Sequence, residues 1–234
     1  MDELHFHTRL HRPGLLLDIG AHDGLLTVPL AALPSSRVLA FEPLPGAMAR
    51  LRAATAHLPN VALRAEALGD APGEAMLTLP VLDGAPQEQW ASITKDYARF
   101  SSVQTVSHPV RVITLDSLAL TEVTGIKLDA EGAEEAILRG GADTLRRCSP
   151  ILSIEVEERH ARGSTRAVPA LLATLGYDGF FWLDGLRPLA DFDAATMQEA
   201  SPDPAVFTAS EPYVFTFFFL PGEAKAQLLP RLRD

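Results

Sequence analysis

The stretch LLLDIGAHDG, Leu15 to Gly24, joins an apolar run to a glycine-punctuated turn. A short apolar run ended by glycine is a buried strand, and the GLLTVPLAAL that follows opens a helix. A ligand meets the main chain at such a turn. Gly20 lets it approach the backbone closely, and Gly24 lets the helix begin against the strand. The spacing narrows the kind of ligand. A dinucleotide turn reads G-x-G-x-x-G; here it reads G-x-x-x-G, and His22 fills the place of a middle glycine. Asp18 and Asp23 flank the turn, and their negative charge opposes a pyrophosphate. Two carboxylates suit a ligand that carries positive charge, such as a sulfonium or an amino group. The second strand, RVLAFEP, ends in Glu42 and Pro43. A carboxylate there can accept both hydroxyls of a ribose. Its plainer role is an exposed strand-end acid, but the glycine turn one β-α unit upstream favours the ribose. His22 is expected to pack on the ligand through its backbone rather than to act as a catalytic imidazole.

The rest of the chain supplies the frame. PGAMARLRAATAHL has helical spacing at Met48, Leu51 and Leu58. NVALRAEALGD is a third strand with its loop, and GEAMLTLP a short extra strand. Pro80 to Ser107 is polar and aperiodic, and is expected to be a long loop acting as a lid or acceptor-binding element. PVRVITLDSL, TGIKLD, PILSIEVEERH, DGFFWL and YVFTFFFLP are further strands, with helices after TGIKLD and over TRAVPALLATLGY. Strand–helix alternation implies parallel strands joined by right-handed crossovers, hence an α/β doubly wound sheet in a single domain over residues 1–234. The first thirteen residues, with His5, His7 and His11, are expected to form a flexible polar arm. They carry no apolar signal core, and VFTFFFLP is far short of the roughly 20 residues that span a bilayer. The expectation is a cytoplasmic protein with no membrane partner. A net charge of −10 argues against nucleic-acid binding. Cys148, the single cysteine, excludes an internal disulfide and is expected at a helix end as a partly buried apolar residue.

LLLDIGAHDG, FEP, EALGD, IKLDAEGAEEAILRGG and PILSIEVEERH together resemble the FkbM family of S-adenosylmethionine-dependent methyltransferases. The resemblance covers roughly Leu15 to His160. Its most specific element is IKLDAEGAE followed by a helix and GG. It implies a Rossmann-like class I methyltransferase fold: a doubly wound, seven-stranded, mostly parallel sheet whose antiparallel last strand would be YVFTFFFLP, with DGFFWL beside it. The family usually has Asn where this chain has His22. Carried over, Asp18, Gly20, Ala21, His22 and Gly24 would line the methionine end of S-adenosylmethionine, Glu42 with Pro43 would take the ribose, and Glu66 and Ala67 would border the adenine with Leu68 as an apolar edge.

The chemistry then falls to LDAEGAE. Residues two apart on an extended segment point the same way, so Asp129 and Glu131 would both face the methyl donor. Transfer to an alcohol needs a base as the bond forms, and Asp129, Glu131 or His160 is expected to serve. A divalent cation, Mg²⁺ or Mn²⁺, held by Asp129, Glu131 and Glu155 is the alternative, since a bound metal lowers a hydroxyl's pKa. Lys127, inside a strand, is expected to pair with Asp129 or Glu155. Asp116 suits a helix cap or the site, Glu134 and Glu135 a first helical turn, and Glu157, Glu158 and Arg159 a solvated strand end. Trp90 and Tyr97 would cover the acceptor or pack the loop down. The expected activity is methylation of a hydroxyl on a small molecule such as a sugar or secondary metabolite, and a homo-oligomer is compatible with it. A catalytically inactive cofactor-binding module acting through a protein partner is the rival, opposed by the intact Asp129–Glu131 pair. An NAD-dependent oxidoreductase is disfavoured by the glycine spacing.

Overall fold

The computed structural model describes residues 1–82, 84–95, 97, 103–200 and 209–232. In chain order, α1 (Glu3–Arg9), β1 (Gly14–Ile19), α2 (Thr27–Ala31), β2 (Ser36–Phe41), α3 (Pro45–Thr55) and β3 (Val61–Arg64) form the first half of the wound sheet. An excursion follows: β4 (Ala67–Leu68), β5 (Gly73–Leu82), β6 (Ala85–Pro86) and β7 (Gln104–Ile113). The chain returns through β8 (Val123–Leu128), α4 (Glu134–Arg139), α5 (Ala142–Cys148), β9 (Ile151–Glu155), α6 (Ser164–Thr174), β10 (Tyr177–Trp182), β11 (Leu186–Pro188), α7 (Ala194–Met197), β12 (Thr216–Pro221) and α8 (Lys225–Leu228).

The main sheet has the order β11-β10-β12-β9-β8-β1-β2-β3. β1, β2, β3, β8 and β9 pair in parallel, and β12 lies antiparallel between β9 and β10. The expected pattern with its antiparallel strand is therefore present, enlarged from seven strands to eight by β11, which folds back on β10 as a hairpin. Strand order reverses between β1 and β8, which opens a crevice above their carboxyl ends. Strands apolar on both faces drive this arrangement. Leu17, Ile19, Leu128, Ile154 and Phe217 belong to the cluster with Ile137 and Val168, while Leu16 and Val38 pack with Leu30.

Three expectations are corrected. First, α1 is no flexible arm. The Asp2 carboxylate caps it by accepting from the His5 amide at 2.7 Å. Phe6 and Leu10, one turn apart, bury themselves against Ile151, Phe218 and Leu220. His7 is buried too, its Nε2 lying 3.0 Å from the Ser153 hydroxyl. Second, the Pro80–Ser107 stretch is not one loop. β5 and β7 pair antiparallel from Gly73–Val112 to Val81–Gln104, with β6 and a 3₁₀ turn at Glu88–Trp90 between them; residues 83, 96 and 98–102 of that stretch lie outside the described residues. Leu77, Leu79, Val110 and Val112 face a small core with Leu44, Ala47 and Ala67, and Ile113 joins the main cluster. The other face of this ribbon is open, so its sequence lacks a strong apolar signal. Third, Glu157 is buried rather than solvated. Its carboxylate accepts from Arg159 Nε at 2.7 Å and from the Tyr213 hydroxyl. Asp116 is a cap, though not of its own segment: it accepts from the Asp143 and Thr144 amides at the start of α5. Cys148 ends α5, half-buried, as expected.

Candidate active site

A cavity of about 550 Å³ opens above the carboxyl ends of β1, β2, β8 and β9. Asp18, Gly20, Ala21, His22, Glu42 and Pro43 line it from the first two strands and the turns after them, Glu66 from the loop after β3, Ala67 and Leu68 from β4, Asp129 and Glu131 from the loop after β8, and Glu155 from β9. The structure thus brings together nearly every site residue named from sequence. Gly24 and His160 lie outside the lining. The excursion adds Glu88, Gln89, Ala91 and Ile93, and α1 adds Glu3; neither Trp90 nor Tyr97 faces the cavity. The Tyr97 hydroxyl instead donates to the Trp90 carbonyl, which packs that segment on itself.

The glycine turn is built by close backbone contact. The amides of Gly20 and Ala21 both donate to the Phe41 carbonyl at 3.0 Å. Gly20 has φ +77°, and a Cβ there would run into the Asp129 carbonyl oxygen. His22 takes φ +49° and donates its amide to one Glu42 oxygen at 2.8 Å, while the Leu44 amide donates to the other at 2.8 Å. Burial pushes the Glu42 carboxyl up and these two amides hold it down. Each carboxylate oxygen keeps a lone pair free to accept another donor.

Beneath the turn sits a buried charge centre. Lys127 Nζ donates to the Gly20 carbonyl at 2.8 Å and lies 3.5 Å from Asp129 and 3.9 Å from Asp18. The expected pairing with Asp129 is present; Glu155 is not within ion-pair distance. Asp18 is fully buried, accepts from the Thr27 hydroxyl at 2.5 Å, and has an Oδ1 that meets no hydrogen-bond donor. Burial raises its carboxyl against the pull of Lys127. Glu155, from β9, is pushed up to about 9 by burial and then by Asp129 and Glu3.

A family model described as the methyltransferase FkbM domain matches residues 18–179. The chain belongs to the FkbM family of S-adenosylmethionine-dependent methyltransferases. Among solved structures, the methyltransferase FkbM of Methylobacillus flagellatus KT is similar at a TM-score of 0.54 and 15% identity over 88% of this chain. The chain spans 43% of the length of that structure. A candidate rRNA-methylase from Clostridium thermocellum has a TM-score of 0.51 and 11% identity, covering 92% of this chain and 91% of its own. Both likenesses are of fold. No curated protein matches the chain.

In this FkbM domain Glu131 leaves the extended line that would set it parallel to Asp129. Its φ is +53°, because the chain turns sharply after β8. Its carboxylate pairs with Lys95, and its carbonyl accepts from the Ser92 hydroxyl at 2.7 Å, so the excursion is fastened to the loop after β8. Burial pushes Glu131 up to about 7, with Lys95 opposing. His160 stands behind Glu131, its Nε2 3.3 Å from Glu131 and 3.2 Å from Glu157. Burial, then Lys95 and Arg159, drive it down to about 2, so the imidazole is neutral and weakly basic. The expected metal set is not assembled: among the described residues no three His, Cys, Asp or Glu side chains converge on a cation position. Glu131 is turned to Lys95, and the Lys127 ammonium already serves Asp129.

Sequence reasoning missed Glu3, Ser153, Ser92, Lys95 and Thr27. Only α1 carried a local signal, an Asp2 cap followed by Phe6 and Leu10 at helical spacing. The charge centre has a measurable consequence. A Glu155 carboxyl raised to about 9 from an ordinary 4.5 adds stability that is complete below about pH 4.5 and lost as pH rises through 9. Glu155→Gln is therefore expected to gain stability over wild type steadily between about pH 5 and 9. Urea unfolding at both ends of that range checks this, and an equal difference at both would contradict it.

Proposed function

We propose that this chain methylates a hydroxyl on a small molecule, such as a sugar or secondary metabolite, and that residues 1–234 act as one methyltransferase domain. The observation that carries the reading is a single cavity lined in order by the glycine turn, Glu42, the Glu66–Ala67 segment and Asp129. The residues fit the cofactor. Gly20, Ala21 and His22 line the cavity at the turn, and the Glu42 carboxylate, held by two backbone amides, lines it beside them.

When bound, S-adenosylmethionine supplies a methyl group already activated by its sulfonium. Asp18, Gly20, Ala21 and His22 hold the methionine end, with Gly24 shaping the turn beneath. Glu42, fixed by the His22 and Leu44 amides, accepts the ribose hydroxyls beside Pro43. Glu66, Ala67 and Leu68 border the adenine, and Arg64 Nη2 holds Glu66 at 2.8 Å. Displacement at the methyl is in line, so the main task of the protein is alignment. Asp129 faces the reacting end with Glu155 nearby. Among the described residues no three His, Cys, Asp or Glu side chains converge on a position for a divalent cation. A cavity of about 550 Å³ has the size of a small-molecule site, and a net charge of −10 does not suit a nucleic acid.

Calorimetric titration with S-adenosylmethionine, S-adenosylhomocysteine and NAD tests the cofactor, and binding of NAD alone would sink the reading. Screening hydroxylated acceptors with labelled S-adenosylmethionine tests the transfer; label recovered only in nucleic acid or on amines would refute it. Glu42→Ala is expected to weaken S-adenosylhomocysteine by about 1–3 kcal/mol, since buried hydroxyls lose their acceptor. Unchanged affinity in that variant would remove Glu42 from the ribose site.

A further inference from the structure

We propose that Glu3, on α1, is the base that takes the proton of the acceptor hydroxyl, and that Ser153 and His7 hold it in place. This rests on the hydroxyl-methylation reading above. Glu3 is on the cavity wall although α1 precedes the wound sheet in sequence. The Ser153 hydroxyl donates to Glu3 Oε1 at 3.1 Å, and His7 Nε2 lies 3.0 Å from the same hydroxyl. His7, on the α1 face packed against β9, is fully sunk, and burial drives it down to about 3, so it is neutral. With the Ser153 hydroxyl donating its hydrogen bond to Glu3, the neutral imidazole donates from Nε2 to Ser153. A Glu–Ser–His chain of this kind fixes one carboxylate oxygen and leaves the other for a ligand.

The other carboxyls of the cavity are engaged. Asp18 is sealed under the turn and bonded to Thr27. Glu42 holds two backbone amides. Glu66, Glu88 and Glu131 pair with Arg64, Arg50 and Lys95. Asp129 faces Lys127, the exposed Asp23 lies 3.6 Å from His22 Nδ1, and Asp2 caps α1. Glu155 keeps its proton through neutral pH, as its burial dictates. Glu3 has a neutral hydroxyl as its hydrogen-bond partner. Its carboxyl is pushed up to about 7, by burial first, with Lys127 opposing and Asp129 and Asp18 adding. A base is most effective when its pKa is near the working pH. Paired carboxyls whose environments separate their pKa values divide acid and base roles; here Glu155 is the protonated partner. In the step, the acceptor oxygen bonds to the methyl carbon, and the carbon–sulfur bond breaks with its electron pair kept on sulfur. The hydroxyl proton passes to Glu3. The products are the methyl ether, S-adenosylhomocysteine and a protonated Glu3.

The charged groups that act on Glu3 are Asp18 from β1, Lys127 from β8 with Asp129 just beyond it, and Glu155 from β9. Calorimetry with S-adenosylhomocysteine and with sinefungin tests the proposal without an acceptor. Sinefungin carries an ammonium where the transferred methyl group would be, so it reports a carboxylate at the acceptor position. Wild type is expected to prefer sinefungin at about pH 8, and to lose the preference as pH falls through about 7, when Glu3 takes a proton. Glu3→Gln is expected to lose at least about fivefold of the preference while S-adenosylhomocysteine affinity stays within about twofold. Ser153→Ala removes a donor that favours the carboxylate, so the loss should move to higher pH. An unchanged preference in Glu3→Gln, with S-adenosylhomocysteine still bound, overturns this proposal alone. Failure of both ligands to bind wild type overturns the cofactor reading and this proposal with it.

Discussion

Gly20→Ala is expected to cost about 2–5 kcal/mol of stability and to abolish S-adenosylhomocysteine binding. Two penalties add. At φ +77° a side chain other than glycine's costs about 1–2 kcal/mol. The new methyl group must also displace the Asp129 carbonyl oxygen, which is main chain held by the Asp129 amide's own bond to Ile19 at 3.0 Å. Overpacking of that kind costs about 1–3 kcal/mol and would move β8 away from β1 under the cavity. Gly24→Ala is the comparator. Its φ is +90°, but its Cβ would meet Leu51 Cδ1 at 2.9 Å, a side-chain end that can rotate. It should pay only the backbone penalty of about 1–2 kcal/mol and keep measurable binding. Denaturant unfolding and calorimetry on both variants check this. Equal losses would show that the contact with Asp129 does not decide the turn.

Lys127→Met is expected to cost about 3–5 kcal/mol near neutral pH, the usual consequence of leaving buried charge unpaired. Lys127 is only 6% exposed and serves three acceptors from two strands: Gly20, Asp18 and Asp129. It also lowers the carboxyls of Asp18, Glu3 and Glu155, each of which burial raises. Without it they hold their protons to higher pH. Raised carboxyls contribute stability below their unfolded pKa of about 4 and lose it as pH rises. The deficit of the variant should therefore shrink toward pH 4 and widen toward pH 8. Urea midpoints across that range measure it. A deficit independent of pH would mean that Lys127 acts by packing alone.

The cofactor half of the cavity was legible because its determinants are local. DIGAHDG, FEP and LDAEG each end a strand in a turn, and each falls at the crevice where parallel strands reverse order. Lys127 was legible as well, since an ammonium inside an apolar strand must find a carboxylate. The excursion was not. Met76 and Val106 point outward on the β5–β7 ribbon and blur its alternation. The binding sense of Glu131 was not legible either. Its partner Lys95 is brought in by the excursion, and its backbone bends just where an extended segment was assumed.

From sequence alone came the wound sheet, its antiparallel strand and the glycine turn with Glu42, because periodicity and turn chemistry act over a few residues. Tertiary structure decided what faces the acceptor. Glu3 meets Ser153 across 150 residues of sequence, and α1 is pinned by Phe6 and Leu10 against strands that follow much later. His160 is drawn behind Glu131 by Glu157 rather than into the cavity. Such contacts depend on which buried surfaces meet once the sheet is closed, and no local spacing encodes that.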